Sequence, residues 1–177
     1  FRLSFSGEMA YELAVPARYS DALIRHIHEI GKTFDLTPYG TEALGVMRIE
    51  KGHAAGNELN GQTTAGDLGL GKMVSKKKDS IGSILSEREG LVDPMRHILV
   101  GVMPCNPKQK ISSGSHIFAS KSACTPCNDL GYITSMAYSP MSNSYIGLAM
   151  IKNGTNHIGG KLRAVNLLQN QDIDIEV

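Results

Sequence analysis

The sequence predicts an α+β protein: a partial α/β-sandwich followed by a carboxy-terminal antiparallel β-barrel. Three observations predict it. Apolar and polar residues alternate near the start, two stretches with helical spacing follow, each ending on a glycine, and beyond residue 95 the chain breaks into short β-rich runs separated by Pro, Gly, Asn and Ser.

FRLSFSGE alternates as a strand does, and so does SGEMAYELAVP at 6–16. In the second run Met9, Tyr11, Leu13 and Val15 share one face, expected to pack on a core, while Glu12 lies between Ala10 and Ala14 on the other. Pro16 stops ladder pairing. In YSDALIRHIHEIG, Ser20 or Asp21 can cap a helix whose apolar stripe is Leu23, Ile24, Ile27 and Ile30, with Gly31 closing it. A second helix is expected from Tyr39 or Thr41 to Lys51, closed by Gly52. The segment 52–71 is rich in Gly, Asn and Thr and reads as loop, which in a compact domain points to function or disorder.

Residues 1–75 thus read as the second half of a ferredoxin-like α+β domain, and 76–94 as a linking region with one short helix from Asp79 to Glu89, capped by Asp79 or Ser80. HILVGVMP, GSHIFAS, LGYITSMAYS, SYIGLAMIK and KLRAVNLL supply strands for a barrel over 95–177. Both ends, FRLSFSGE and QDIDIEV, read as cut through or beside sheet. The chain is therefore expected to be a piece of a longer polypeptide, its barrel truncated at the end.

A chain of 177 residues with 41% hydrophobic side chains can bury a substantial core. A formal charge of +1 provides no net attraction toward nucleic acid or an anionic membrane, and no stretch approaches transmembrane length. Three cysteines cannot make a disulfide framework, so a cytoplasmic setting is expected.

Two charged residues stand out. Small neighbours around Glu12 suggest that something lies close against it, and its carboxylate can accept two parallel N–H bonds from a guanidine-like heterocycle edge. In YGTEALGVMRIEKG, Thr41, Gly45, Arg48 and Gly52 line one stripe, expected to leave the Arg48 guanidinium over a surface that an anionic or carbonyl-bearing ligand can approach. The plainer alternative is an ion pair between a Glu and an Arg on adjacent elements, worth about 0–1 kcal/mol when exposed.

Cys124-Thr125-Pro126-Cys127 has metal or redox spacing, but zinc would need two further ligands, from Cys105, His116 or His157, so a plain hairpin connection is expected and no metal. Lys76, Lys77 and Lys78 form a basic turn near Lys72. No Ser/His/Asp arrangement is indicated, and GDLGLGK lacks the setting and ending of a phosphate loop.

GEMAYELAVP, GVMRIEKG and TAGDLGLGKMV, in that order, resemble the second half of the aminomethyltransferase family typified by the glycine cleavage T protein. TPYGTEALGVMRIEKGHAAGNELNG with MVSKKKDSIG resembles more closely the alpha-subunit family of heterotetrameric sarcosine oxidases, at its carboxy-terminal part. The resemblance covers essentially the whole chain. It implies that Glu12, in the Gly-Glu-x-x-Tyr-Glu motif, binds the pteridine ring of tetrahydrofolate and that Arg48, in Arg-x-Glu-x-Gly, belongs to the same pocket.

It further implies that a one-carbon unit from oxidised sarcosine reaches tetrahydrofolate as 5,10-methylenetetrahydrofolate. FAD, FMN and NAD belong elsewhere in the complex, with beta, gamma and delta subunits as partners. The catalytic aspartate of the family lies upstream of Phe1. Folate-dependent aminomethyl transfer of the glycine cleavage type and a non-catalytic assembly role are the alternatives. Where glycine-cleavage proteins commonly have Trp after Gly-Leu-Gly, this chain has Lys72, which speaks against glycine cleavage itself and against a direct ring contact there, and leaves Lys72 as a candidate folate or partner contact.

Overall fold

The structure, a computed structural model, describes residues 1–177 except the side chain of Leu3. Strands β1 (Arg2–Leu3) and β2 (Ala10–Tyr11) pair antiparallel, with Arg2 opposite Tyr11. The Glu12 N–H donates to the Phe1 carbonyl at 2.8 Å, and the Phe1 amine donates back to the Glu12 carbonyl at 2.8 Å. The strand expected over 6–16 shrinks to two residues, because a ladder extends only as far as a neighbour offers partners and only the first residues do so.

The bulky face expected on a core is uncovered. Met9, Tyr11, Leu13 and Val15 are 70%, 64%, 67% and 43% exposed. A two-stranded ribbon has no second layer of its own, and helix α1 covers that face only in part, its Leu23, Ile24 and Ile27 sharing an open cleft with Leu13 and Val15.

Helix α1 (Ser20–Gly31) forms where its spacing predicts, with Asp21 in the first turn accepting from Arg25 Nε at 2.9 and 3.0 Å. Gly31 does not close it. That residue keeps right-handed helical angles, the chain adds a 3-10 turn over Lys32–Phe34, and Asp35 at φ 52 makes the reversal. Gly31 serves packing instead: a Cβ there would lie 2.6 Å from Cβ of Leu36. Helix α2 (Thr41–Lys51) ends as predicted on Gly52, whose left-handed φ of 77° directs its N–H to the carbonyls of Arg48 and Ile49.

The helix expected from Asp79 to Glu89 is absent as such. Two single turns, α3 (Ser83–Ser86) and α4 (Glu89–Val92), stand in its place, and neither Asp79 nor Ser80 caps them. Ile81 and Ile84 are fully exposed or nearly so, so nothing offsets the cost of helix nucleation here.

Six strands, β3 (His97–Pro104), β4 (His116–Ala119), β5 (Gly131–Ser139), β6 (Ser144–Lys152), β7 (Lys161–Asn166) and β8 (Gln171–Glu176), close into an antiparallel barrel of order β3-β6-β5-β4-β7-β8. QDIDIEV, read as a run cut beside the sheet, is paired on both edges: β8 meets β7 along its length and β3 at Met103 and Pro104. Alternation fills the interior. Ile173 and Ile175 point in and are buried with Val100, Val102, Ile117, Ile133 and Ile151, while Asp172, Asp174 and Glu176 point out.

One irregularity positions the site. Between β5 and β6, Ile133 pairs with Ala149 and Ser135 with Leu148, leaving Thr134 as an extra residue. Such a bulge shifts the following side chain to the opposite face. Ser135 is thereby turned outward toward α2, the helix that packs on β5.

Candidate functional site

Where α2 meets the barrel wall, a buried polar cluster forms around Glu58, which has no exposed surface. Arg48 Nη1 donates to Glu58 Oε2 at 3.2 Å and to the His53 carbonyl at 3.3 Å, while Nη2 donates to Ser135 Oγ at 2.6 Å. The Ser135 hydroxyl in turn donates to Glu58 Oε1 at 2.5 Å, and the Ala55 N–H donates to Oε2 at 2.9 Å. Every carboxylate oxygen is therefore held by a donor. Burial pushes the Glu58 carboxyl up, but hydrogen bonds from Ser135, Thr134 and the Ala55 N–H, with the Arg48 charge, outweigh it and hold the group below its ordinary value.

A second cluster joins the 60–67 loop to the start of the barrel. Thr64 and Asp67 cap one another, Thr64 N–H donating to Asp67 Oδ2 at 2.8 Å and Asp67 N–H to Thr64 Oγ1 at 3.2 Å. Arg96 grips the same carboxylate with Nε on Oδ1 at 2.9 Å and Nη2 on Oδ2 at 2.5 Å. It also reaches the carbonyls of Gln62 at 2.6 Å and Gly90 at 3.2 Å. Burial raises the Asp67 carboxyl, and Arg96 and Thr64 more than reverse this. The Arg96 guanidinium is held above its ordinary value, chiefly by the hydrogen bond to Asp67. Beside the pair lies a cavity of about 370 Å³ whose wall includes Asn60, Asp67, Arg96, His97 and Tyr132.

Glu12, Arg48 and Lys72 are not brought together. Glu12 is exposed, its neighbours across the ribbon being backbone, and Lys72 is exposed in a 3-10 turn over Gly71–Met73. Arg48 is 14% exposed and committed to Glu58 and Ser135, so the open guanidinium expected from its stripe is corrected: Gly45 and Gly52 face free space, but the arginine between them turns into the barrel wall. Glu12, Arg48 and Lys72 lie outside the walls of the five cavities that open around Asp67 and Arg96, His116 and Cys124, Glu89 and Pro94, Leu13 and Ile27, and Arg2 and Met9. Among the described residues none of these five cavities is the hollow expected between Glu12 and Arg48. The ion pair set against that expectation exists, with a different acid, Glu58.

Glu58, Ser135, Asp67 and Arg96 were not singled out from the sequence. Thr-x-x-Asp at 64–67 is a capping signature that could have marked Asp67. Nothing local marks Ser135, whose orientation depends on the bulge. Among the described residues no three or more His, Cys, Asp or Glu side chains gather as a metal site, and no helix is long and apolar enough to cross a membrane.

Comparison with known sequences matches residues 1–78 to the GCVT N-terminal domain and residues 98–177 to the glycine cleavage T-protein C-terminal barrel domain. The chain belongs to the glycine cleavage T-protein family. Among its relatives, sarcosine oxidase subunit alpha of Rhizobium meliloti is 53% identical over 160 residues, 90% of this chain and 16% of that protein. The subunit alpha of Corynebacterium sp. strain U-96 is 36% identical over 181 residues, 99% of this chain and 18% of that protein. The chain thus spans less than a fifth of either relative.

In fold it is similar to the crystal structure of glycine cleavage system aminomethyltransferase T from Bartonella henselae, with a TM-score of 0.79 and 23% identity over 99% of this chain and 47% of that one. The closed barrel described above is that family's carboxy-terminal domain. Turns α3 and α4 fall between the two matched regions.

Proposed function

We propose that this chain is the tetrahydrofolate-binding portion of a sarcosine oxidase alpha subunit. The single observation that carries the reading is 53% identity, over 90% of the chain, to a protein named as that subunit. In this reading a flavin held elsewhere in a cytoplasmic complex with other subunits oxidises sarcosine, and the one-carbon unit passes to tetrahydrofolate as 5,10-methylenetetrahydrofolate. This chain's part is positioning: holding the folate nitrogen near the arriving carbon raises its effective concentration.

Glu12 fits the role chemically. Its carboxylate is exposed, has no hydrogen-bond partner among the described residues and stands between two small side chains, so a pterin edge could present paired N–H donors to it. Arg48 acts through the barrel wall: paired to Glu58 and Ser135, it fixes α2 as one side of the pocket instead of touching the ligand. Lys72 is exposed and is left to the folate tail or a neighbouring subunit.

The test is thermal unfolding of the full-length protein with and without reduced folate. Folate raises the melting temperature of the wild type, and Glu12→Ala removes the rise without changing the melting temperature of the free protein. An equal rise in wild type and Glu12→Ala would remove Glu12 from the site. No rise in either would overturn folate binding. Peroxide formation from sarcosine, set against exchange with an aminomethyl-lipoyl carrier, separates this reading from glycine-cleavage transfer.

A further inference from the structure

The largest of these cavities, about 740 Å³, has none of the site residues described above in its wall. Its wall includes His116, Phe118, Cys124, Thr125, Pro126 and Asp129. Cys124 on this wall and Cys127, just beyond it, belong to one tight turn: Thr125 N–H donates to the Ala123 carbonyl at 2.9 Å, Asn128 N–H to the Thr125 carbonyl at 3.0 Å, and the Asn128 side-chain amide to the Ala123 carbonyl at 3.0 Å. Cys124 and Cys127 are both free and exposed.

The turn is not merely a connection, because β7 reaches across to it. Arg163 Nη2 donates to Cys124 Sγ at 3.2 Å and to the Ser122 carbonyl at 2.9 Å, while its Nε lies 3.2 Å from Asp172 Oδ1. A permanent cation is therefore fixed on one sulfur of the pair. On the same wall Asp129 Oδ2 holds His116 Nδ1 at 2.7 Å. Metal ligation would need more side chains than gather here, since no three possible ligands come together among the described residues.

We propose that Cys124 and Cys127 form a reversible thiol–disulfide site, oxidised by a small peroxide that enters this cavity. The sulfur of Cys124, beside Arg163, attacks the O–O bond; a sulfenic acid forms, and the hydroxide released takes up the thiol proton to leave as water. The Cys127 sulfur then displaces the sulfenic hydroxyl, which leaves as water, and the S–S bond forms. In sum two thiols lose two electrons and two protons, and one hydrogen peroxide becomes two waters. Cys124 is then withdrawn from Arg163, so the state of the pair is communicated to β7 through that contact.

The experiment treats the full-length protein with hydrogen peroxide at low molar excess, blocks remaining thiols, and maps peptides by mass before and after reduction. Trypsin separates Cys105 from the other two, which share the peptide 122–152, so Cys105 is an internal reference. Expected is loss of two hydrogens in 122–152, reversed by dithiol, while Cys105 stays alkylatable. Arg163→Gln slows this oxidation by about tenfold, and Cys124→Ser abolishes it. Two results overturn the proposal: oxidation of Cys105 as fast as that of the pair, or peptides 122–152 that stay reduced. Should Arg163→Gln unfold the protein, the comparison of Cys124→Ser with Cys127→Ser still decides. Sulfenic acid must accumulate only in Cys127→Ser, and its accumulation in Cys124→Ser would reverse the assigned roles.

Discussion

Ser135 on β5 donates to Glu58 across a sequence separation of 77 residues, and Arg48 donates to the same hydroxyl across 87. One serine thus links the helical half of the chain to the barrel. The hydroxyl accepts from the cation and donates to the anion, which is why neither charge is left bare in the interface.

Removing Glu58 leaves Arg48 half-sealed without its acid. Glu58→Ala is expected to destabilise by about 3–5 kcal/mol, the cost of breaking a buried pair from one side. Arg48→Met combined with Glu58→Leu should cost less than the two single losses together, since no charge is then stranded. Urea unfolding of the wild type, Arg48→Met, Glu58→Leu and the double variant measures this, and strict additivity would show that the pair is not coupled.

Acid should unfold the protein with a definite sign. Glu58 and Asp67 are held below their ordinary values of 4.5 and 3.8, so the unfolded chain binds more protons and their contribution, complete above those values, is lost as pH falls through the lower folded ones. Stability measured against pH should therefore rise with pH in this range, and Glu58→Gln should flatten the slope.

His97 adds an earlier step. Burial first, then the charges of Lys152 and Arg96, hold its imidazole below 6.5 against the opposing pull of Asp129 and Asp67. The neutral ring is favoured in the fold, so stability should already fall as pH drops below 6.5. In His97→Gln this upper part of the decline should shrink to what His53 contributes, whose imidazole is also held low by burial and then by the Lys51 and Arg48 charges.

Gly131 opens β5 at φ 147, and a Cβ there would lie 1.9 Å from the Met150 carbonyl oxygen of β6. Backbone cannot move aside as a side chain can. Gly131→Ala should cost more than about 3 kcal/mol, seen as a large drop in melting temperature, whereas Gly45→Ala, facing open space within α2, should be neutral or stabilising.

Glu12→Ala should change stability by less than about 0.5 kcal/mol, because its side chain touches nothing that holds the fold. A larger loss in chemical denaturation would mean that Glu12 has a structural partner.

Much of the architecture can be read along the chain. The spacing of Leu23, Ile24, Ile27 and Ile30 marks α1, Gly52 marks the end of α2, and alternation in QDIDIEV marks a strand with Ile173 and Ile175 inward. These are periodic signals within a few residues, the range over which helix and strand geometry act. The helix expected at Asp79–Glu89 failed because it rested on capping residues alone, with no face to bury. The small neighbours of Arg48 mark it in the sequence, but its direction is not legible there, because the alternative faces of α2 differ only in what lies opposite.

Element types, the inward and outward faces of the barrel strands and the family motifs are thus properties of local order in the chain. The partner of Arg48, the burial of Glu58, the outward turn of Ser135 and the grip of Arg163 on Cys124 belong to tertiary structure, since each joins residues from 10 to 87 positions apart. Periodicity carries no record of such distances. They are decided when packing of α2 and closure of the barrel bring donors and acceptors to the same dry place, where an unpaired charge would be too costly to leave.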